Sequence, residues 1–195
     1  MAVGNLAQIH KLPAPETDDA LMARLKLGDG GAFAELLDRH TSAVAGFSYR
    51  MTGSAAEADD IAQETFLRLW RGRERWEPRA QVRTWLLRVA HNLCIDRFRR
   101  REVVTNEFPD LPDGRPSAAA EVQRRQVERI VNEAVAALPD RQRAALGLVY
   151  YEGLSNIEAA QVLDVSIDAL ESLLARGRRS LRQNLSTVHP HLGEE

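Results

Sequence analysis

Pro109, Pro112, Gly114 and Pro116 fall close together near the middle of this 195-residue chain and divide it in two. Proline removes a backbone donor and its ring clashes with the preceding turn, so no helix runs through this stretch. On either side, apolar residues recur at three- and four-residue steps. Ala20, Leu21 and Leu25 are followed by Leu27, Phe33, Leu36 and Leu37, the period of amphipathic helices. No segment alternates at period two for long enough to make a strand. The chain is therefore expected to be all-α, with two small helical domains at residues 18–101 and 122–186. A flexible acidic linker is expected at 102–121, a loose tail at 1–17 and a short tail at 187–195. Each domain is small enough to have only a modest core.

Composition narrows the functional classes. A hydrophobic fraction of 44% fits a globular chain and is too high for a disordered one. A single cysteine, Cys94, excludes an intramolecular disulfide and any multi-cysteine metal site. It sits beside the apolar stripe of its helix, which favours a buried, inert thiol. No apolar run approaches the ~20 residues that span a bilayer, and no signal peptide is visible. The expectation is a soluble cytoplasmic protein with no membrane insertion.

Net charge is only −2, yet it is segregated. Residues 68–101 hold eleven arginines against Glu74, Glu77 and Asp96, a balance of +8. Residues 172–182 hold Arg176, Arg178, Arg179 and Arg182 and no acid. One basic patch per domain is the electrostatic footprint of a nucleic-acid binder, although two solvated helix faces give the same count.

In the second half, Ser155-Asn156-Ile157-Glu158 has the form of a capping box that opens a short helix. Asp164-Val165-Ser166 breaks it, and Ser166 is placed to cap a second helix reaching about Leu185. Helix, tight turn, helix is a helix-turn-helix, whose second helix enters the major groove. An ordinary helical hairpin has the same local pattern. Leu138-Pro139-Asp140-Arg141-Gln142-Arg143, Tyr150-Tyr151-Glu152-Gly153-Leu154-Ser155 and the helix-turn-helix resemble region 4 of the sigma-70 family, in the compact spacing of its extracytoplasmic-function (ECF) group. The resemblance implies −35 promoter recognition by Ser166, Asp168, Glu171, Ser172, Arg176, Arg178 and Arg179. Glu171 stands where the family usually has Lys, and Leu173 where it has Arg, so two basic contacts are expected to be missing. Glu171 either accepts a hydrogen bond from a cytosine amino group or simply suits the start of a helix.

In the first half, Ser54-Ala55-Ala56-Glu57 is a second capping-box sequence, opening a helix to about Arg71. Glu57-Ala58-Asp59-Asp60-Ile61-Ala62-Gln63-Glu64-Thr65-Phe66-Leu67 resembles the ECF region 2.2 signature. That implies docking on the clamp helices of the RNA polymerase β′ subunit through Asp59, Asp60, Gln63, Glu64 and Phe66. A contact between region 4 and the β flap is implied in the same way. The run from Val82 to Arg100 resembles the −10 region. Its candidates are Arg83, Arg88, Asn92, Arg97, Arg99 and Arg100, with Trp76 and Arg79 from the preceding loop. Trp76 stacks on an extruded base or belongs to the core; the two readings are even. Asp96 and Arg100, four apart, are spaced for a helix ion pair.

No phosphate-binding glycine loop, metal-ligand spacing or catalytic constellation is present, so neither an enzyme nor a cofactor site is expected. The resemblance covers residues 18–186 with both regions in order. It implies a bacterial ECF sigma factor, a non-catalytic specificity subunit for stress-response transcription. It binds core RNA polymerase and promoter DNA and answers to an anti-sigma factor. Glu107, Asp110 and Asp113 are expected to mimic RNA charge in the polymerase channel. Without the resemblance, a two-domain helix-turn-helix repressor or a helical adaptor for acidic partners would fit the same residues.

Overall fold

A computed structural model describes residues 16–78, 80–104 and 130–188. The expected linker lies outside the described residues except at its first three positions, which continue a helix. Arg79, Glu107, Asp110 and Asp113 also lie outside them.

The described residues contain helices and no strand. Thr17 caps α1 (Asp18–Lys26) by accepting from the Ala20 amide, and Asp29 caps α2 (Gly30–Thr52) through the Gly31 and Ala32 amides. Then come α3 (Ala55–Gly72), a 3₁₀ turn (Arg73–Arg75) and α4 (Val82–Val104). The second unit has α5 (130–136), α6 (Asp140–Leu146), a π turn (Gly147–Tyr151), α7 (Asn156–Leu163) and α8 (Ile167–Val188). The expected starts at Ser54, Ser155 and Ser166 match these helices.

The two capping sequences behave differently. Ser155 and Glu158 form the full reciprocal box, at 3.3 and 2.9 Å. The Ser155 hydroxyl, donating at 2.6 Å, and then the Ser155 amide hold the Glu158 carboxyl below the ordinary range. Ser54 accepts from the Glu57 amide at 3.4 Å, but the Glu57 carboxylate does not reach back. It is drawn instead to Arg101 and Arg97 at the far end of α4.

In the first unit, α2 packs against α1, α3 and α4, with Leu36, Val44, Phe47 and Met51 inside. His40 is buried and meets the Asp18 carboxylate at 2.7 Å. In the second, α6, α7 and α8 enclose Leu146, Leu148, Ala159, Val162 and Leu170.

The separate modest cores expected from the sequence are joined into one continuous apolar cluster. α4 explains why. Spacing within α4 alone gives one inward stripe of Trp85, Leu86, Val89, Ala90 and Leu93. The fully enclosed positions are Val82, Leu86, Leu87, Ala90 and Cys94, because α4 packs against α2 and α3 and also against α7. At the other end of the seam the Phe47 ring lies against the π turn. A Cβ on Gly147 would sit 3.6 Å from that ring. Cys94 is enclosed beside this seam, and burial pushes its thiol pKa up to about 12, so it is inert as expected.

Candidate nucleic-acid and polymerase interfaces

The exposed face of α8 is built by its apolar one. Leu170, Leu173 and Leu174 point into the second unit, as does Gly177, where a Cβ would meet the Leu146 side chain at 3.0 Å. Helical geometry then turns the remaining positions outward. Ser166, Asp168, Glu171, Ser172, Arg176, Arg178 and Arg179 are all exposed. Ser166 caps the helix through the Ala169 amide at 3.2 Å. Arg178 donates to the Tyr150 hydroxyl at 3.2 Å. Among the described residues neither Asp168 nor Glu171 meets a cation. The substitution at Leu173 is not a lost surface contact, because the side chain is buried and packs inward. Only Glu171 changes the charge of the face.

The α4 surface is less open. Arg88, Asn92, Arg99 and Arg100 are exposed, and Arg83 and Arg97 are half-buried. Arg97 donates to Asp60 at 3.1 Å and to the Glu57 carbonyl at 3.3 Å, tying α4 to α3. The expected Asp96–Arg100 ion pair is not formed among the described residues. Trp76 is buried, with its ring edge-on to Trp85 at 5.4 Å and 79°. That settles its packing: it is a core indole whose edge lines a cavity of about 640 Å³. Ala80, Thr84, Trp85 and Arg88 line the same cavity, and Gln161 of α7 borders it from the second unit.

The acidic face of α3 is exposed at Asp59, Asp60 and Gln63 and half-exposed at Glu64. Glu64 accepts from Arg68 at 2.9 Å, one turn away. Phe66 does not belong to this face. It is 4% exposed and packs in the core, because its position on α3 falls on the stripe with Ala62 and Leu69.

Three polar residues to which the sequence assigned no site role, Arg50, Arg143 and Glu152, hold the seam together with Arg83. Glu152 follows the π turn and is 6% exposed. One of its carboxylate oxygens accepts from Arg50 of α2, the other from Arg83 of α4 at 3.1 Å. Arg83 also donates to the Glu152 carbonyl. The Arg50 guanidinium lies over the Tyr151 ring at 4.7 Å. Arg143 of α6 donates to the Met51 carbonyl and, within its own unit, to Leu138 O and Asp140, both at 2.9 Å. At the rim, Arg88 meets Asp164 at 3.3 Å. Asp164 ends α7 in the left-handed conformation, with φ of 54°. Its short polar side chain tolerates that geometry better than a branched one would.

A helix-turn-helix with a basic outer face, joined to a helical bundle that carries an acidic helix and a basic one, defines a class of transcription factor. Residues 36–103 match Sigma-70 region 2 and residues 128–181 match Sigma-70, region 4. The chain is 31% identical to the ECF RNA polymerase sigma factor SigW of Bacillus subtilis, covering 83% of this chain and 93% of that one. It is 32% identical to SigK of Mycobacterium tuberculosis, covering 86% and 92%. Among solved structures, CnrH in complex with the cytosolic domain of CnrY superposes with a TM-score of 0.70 at 27% identity, over 88% of this chain and 99% of that one. The sigma factor RpoE from Bartonella quintana, in complex with the anti-sigma factor NepR, shares the fold with a TM-score of 0.66 at 21% identity, over 79% and 96%. The chain belongs to the sigma-70 family, in its ECF group. It is a transcription initiation factor that binds core RNA polymerase and directs promoter-specific initiation. No described helix is long and apolar enough to cross a membrane.

Proposed function

We propose that the two family regions correspond to domains at 18–101 and 122–186, each carrying one promoter contact. α8 takes the −35 element, with Ser166, Asp168, Glu171 and Ser172 at the base edges and Arg176, Arg178 and Arg179 on phosphates. α4 takes the −10 element through Arg83, Arg88, Asn92, Arg97, Arg99 and Arg100. Trp76 acts as a wall of the neighbouring cavity. Arg79, in the loop before α4, contacts the same strand. Asp59, Asp60, Gln63 and Glu64 dock the clamp helices of the polymerase β′ subunit, and region 4 meets the β flap. The protein is a specificity subunit without catalysis of its own, acting in the bacterial cytoplasm under an anti-sigma factor.

The observation that carries this reading is the α8 face, where every candidate −35 residue is exposed while Leu170, Leu173 and Leu174 are turned inward. An isolated carboxylate in a groove of anionic DNA finds its only complementary partners in base amino groups. Unpaired Glu171 is therefore suited to the cytosine N4 donor.

The test is run-off transcription with core polymerase on a promoter library. The expected result is initiation from a restricted promoter set; failure to initiate on every template would sink the proposal. Gln63→Ala with Glu64→Ala is expected to weaken core binding at least tenfold while thermal unfolding stays unchanged, since neither side chain is in the core.

A further inference from the structure

We propose that Glu152 latches a self-closed state in which carboxylates of the C-terminal unit occupy Arg83 and Arg88 of the −10 surface. Promoter DNA and the chain's own acids then compete for the same cations. The proposal rests on the assignment of α4 to the −10 element made above.

Three features converge on the latch. The first is chemical likeness. A guanidinium fork accepts a carboxylate and a phosphate in the same geometry, and Arg83 is already filled by Glu152 through both side chain and carbonyl. Arg88, the next arginine along α4, faces Asp164. Gln161 stands beside the cavity that Trp76 and Trp85 line. The C-terminal unit thus covers the first half of α4 with two acids and an amide.

The second is the way Glu152 is aimed. The hydrogen-bonded ring of the π turn spans one more residue than that of an α-helix and closes with the Glu152 amide donating to the Gly147 carbonyl at 3.0 Å. Gly153 follows with φ of +64°, which a side chain would resist, and the chain leaves the seam. Glu152 is left pointing at α2 and α4.

The third is imbalance within the seam. Arg50 Nε and Arg143 Nε are buried without a hydrogen-bond partner. Unmet donors weaken a closed form relative to one in which water reaches them. Closure therefore depends on the Glu152 carboxylate more than the apolar contact alone would suggest.

The closed chain engages Arg83 and Arg88 at the start of the α4 surface, while Asn92, Arg99, Arg100 and the whole α8 face stay exposed. Polymerase binding and −10 DNA would draw on the open form, shifting a pre-existing equilibrium.

The experiment uses the full chain. Small-angle X-ray scattering reads compaction, and fluorescence anisotropy reads binding of a random-sequence single-stranded DNA 20-mer at fixed salt. Glu152→Lys and Arg50→Glu change net charge in opposite directions, yet both place like charges together in the latch. Both are expected to raise the radius of gyration and to bind the DNA at least tenfold more tightly. Asp38→Asn, an exposed acid away from the seam, is expected to change neither. Asp164→Asn, at a side chain 86% exposed, cannot disturb the core and keeps the test open if a latch variant fails to fold. Its expected gain in DNA affinity is about twofold. Unchanged compaction in the folded variants overturns the latch. Expansion without tighter DNA binding overturns the competition and removes α4 from the DNA surface, a failure of the underlying assignment that the scattering data keep separate from failure of closure.

Discussion

α4 and α8 are both long basic helices, and they solve opposite problems. α8 packs one face on its own unit and offers the other to solvent. Its candidate DNA residues are uniformly exposed, and its one departure in charge, Glu171, meets no cation among the described residues. α4 is enclosed by α2 and α3 on one side and partly by α7 on another, so Arg83 is engaged before any DNA arrives. A basic stretch of sequence therefore measures potential for DNA contact, while the packing around it decides availability.

The contrast can be broken most strongly at Phe47, which is fully buried and touches both α2's own bundle and the π turn. Phe47→Ala is expected to cost about 3–5 kcal/mol in denaturant unfolding. It should loosen the seam around α4 while leaving α8 capped and helical. Unfolding with unchanged stability would show that the seam does not bear on the first bundle. Next in size is Glu171→Lys, which acts on α8 alone. A selection over −35 variants is expected to lose cytosine preference at one position, by about 1–3 kcal/mol, with −10 preference untouched. An identical −35 profile would return Glu171 to the role of a helix-start residue. Ser166→Ala removes the α8 cap and should cost about 1 kcal/mol, measured by thermal unfolding; no change would mean the first turn is held by packing.

The smallest expected effect is reversible and belongs to α4. His91 is buried, and burial is the main cause holding its pKa below the ordinary 6.5, with Arg141 of α6 lowering it further and Asp140 and the neighbouring Asn92 opposing. Opening the seam returns the ring to water and to its ordinary pKa. Closure is then fully favoured above about pH 6.5, and weakens as pH falls below it because the open form takes up the proton. Scattering should report expansion between pH 7.5 and 5.5, and His91→Phe should abolish it. An identical response in that variant would place the titrating group elsewhere.

Most of the helices were legible because their signals are local. Ser54, Ser155 and Ser166 announce helix starts, and the α3 and α8 stripes follow from spacing within one element. Phe66 shows the limit of motif reading: its place in the signature suggested an interface, while its place on the apolar stripe required burial. Leu173 shows the same for a position judged by charge alone. Leu87 and Cys94 were left off the inward stripe because α4 has a second partner, and no period within α4 encodes α7. Arg50 and Glu152 were the least legible. They lie 102 positions apart, and each reads singly as an ordinary surface charge.

The π turn has a consequence for how this arrangement is encoded. Residues 147–151 hold one more residue than an α-helical path needs, so removing any one of them would let the segment relax to α geometry. Each residue advances an α-helix by about 100°. The carboxylate of Glu152 would swing to a different side of the chain without any change in its chemistry. The meeting of the two halves is thus a matter of arc length as well as of charge, and a single deleted codon could part them as surely as a substituted one.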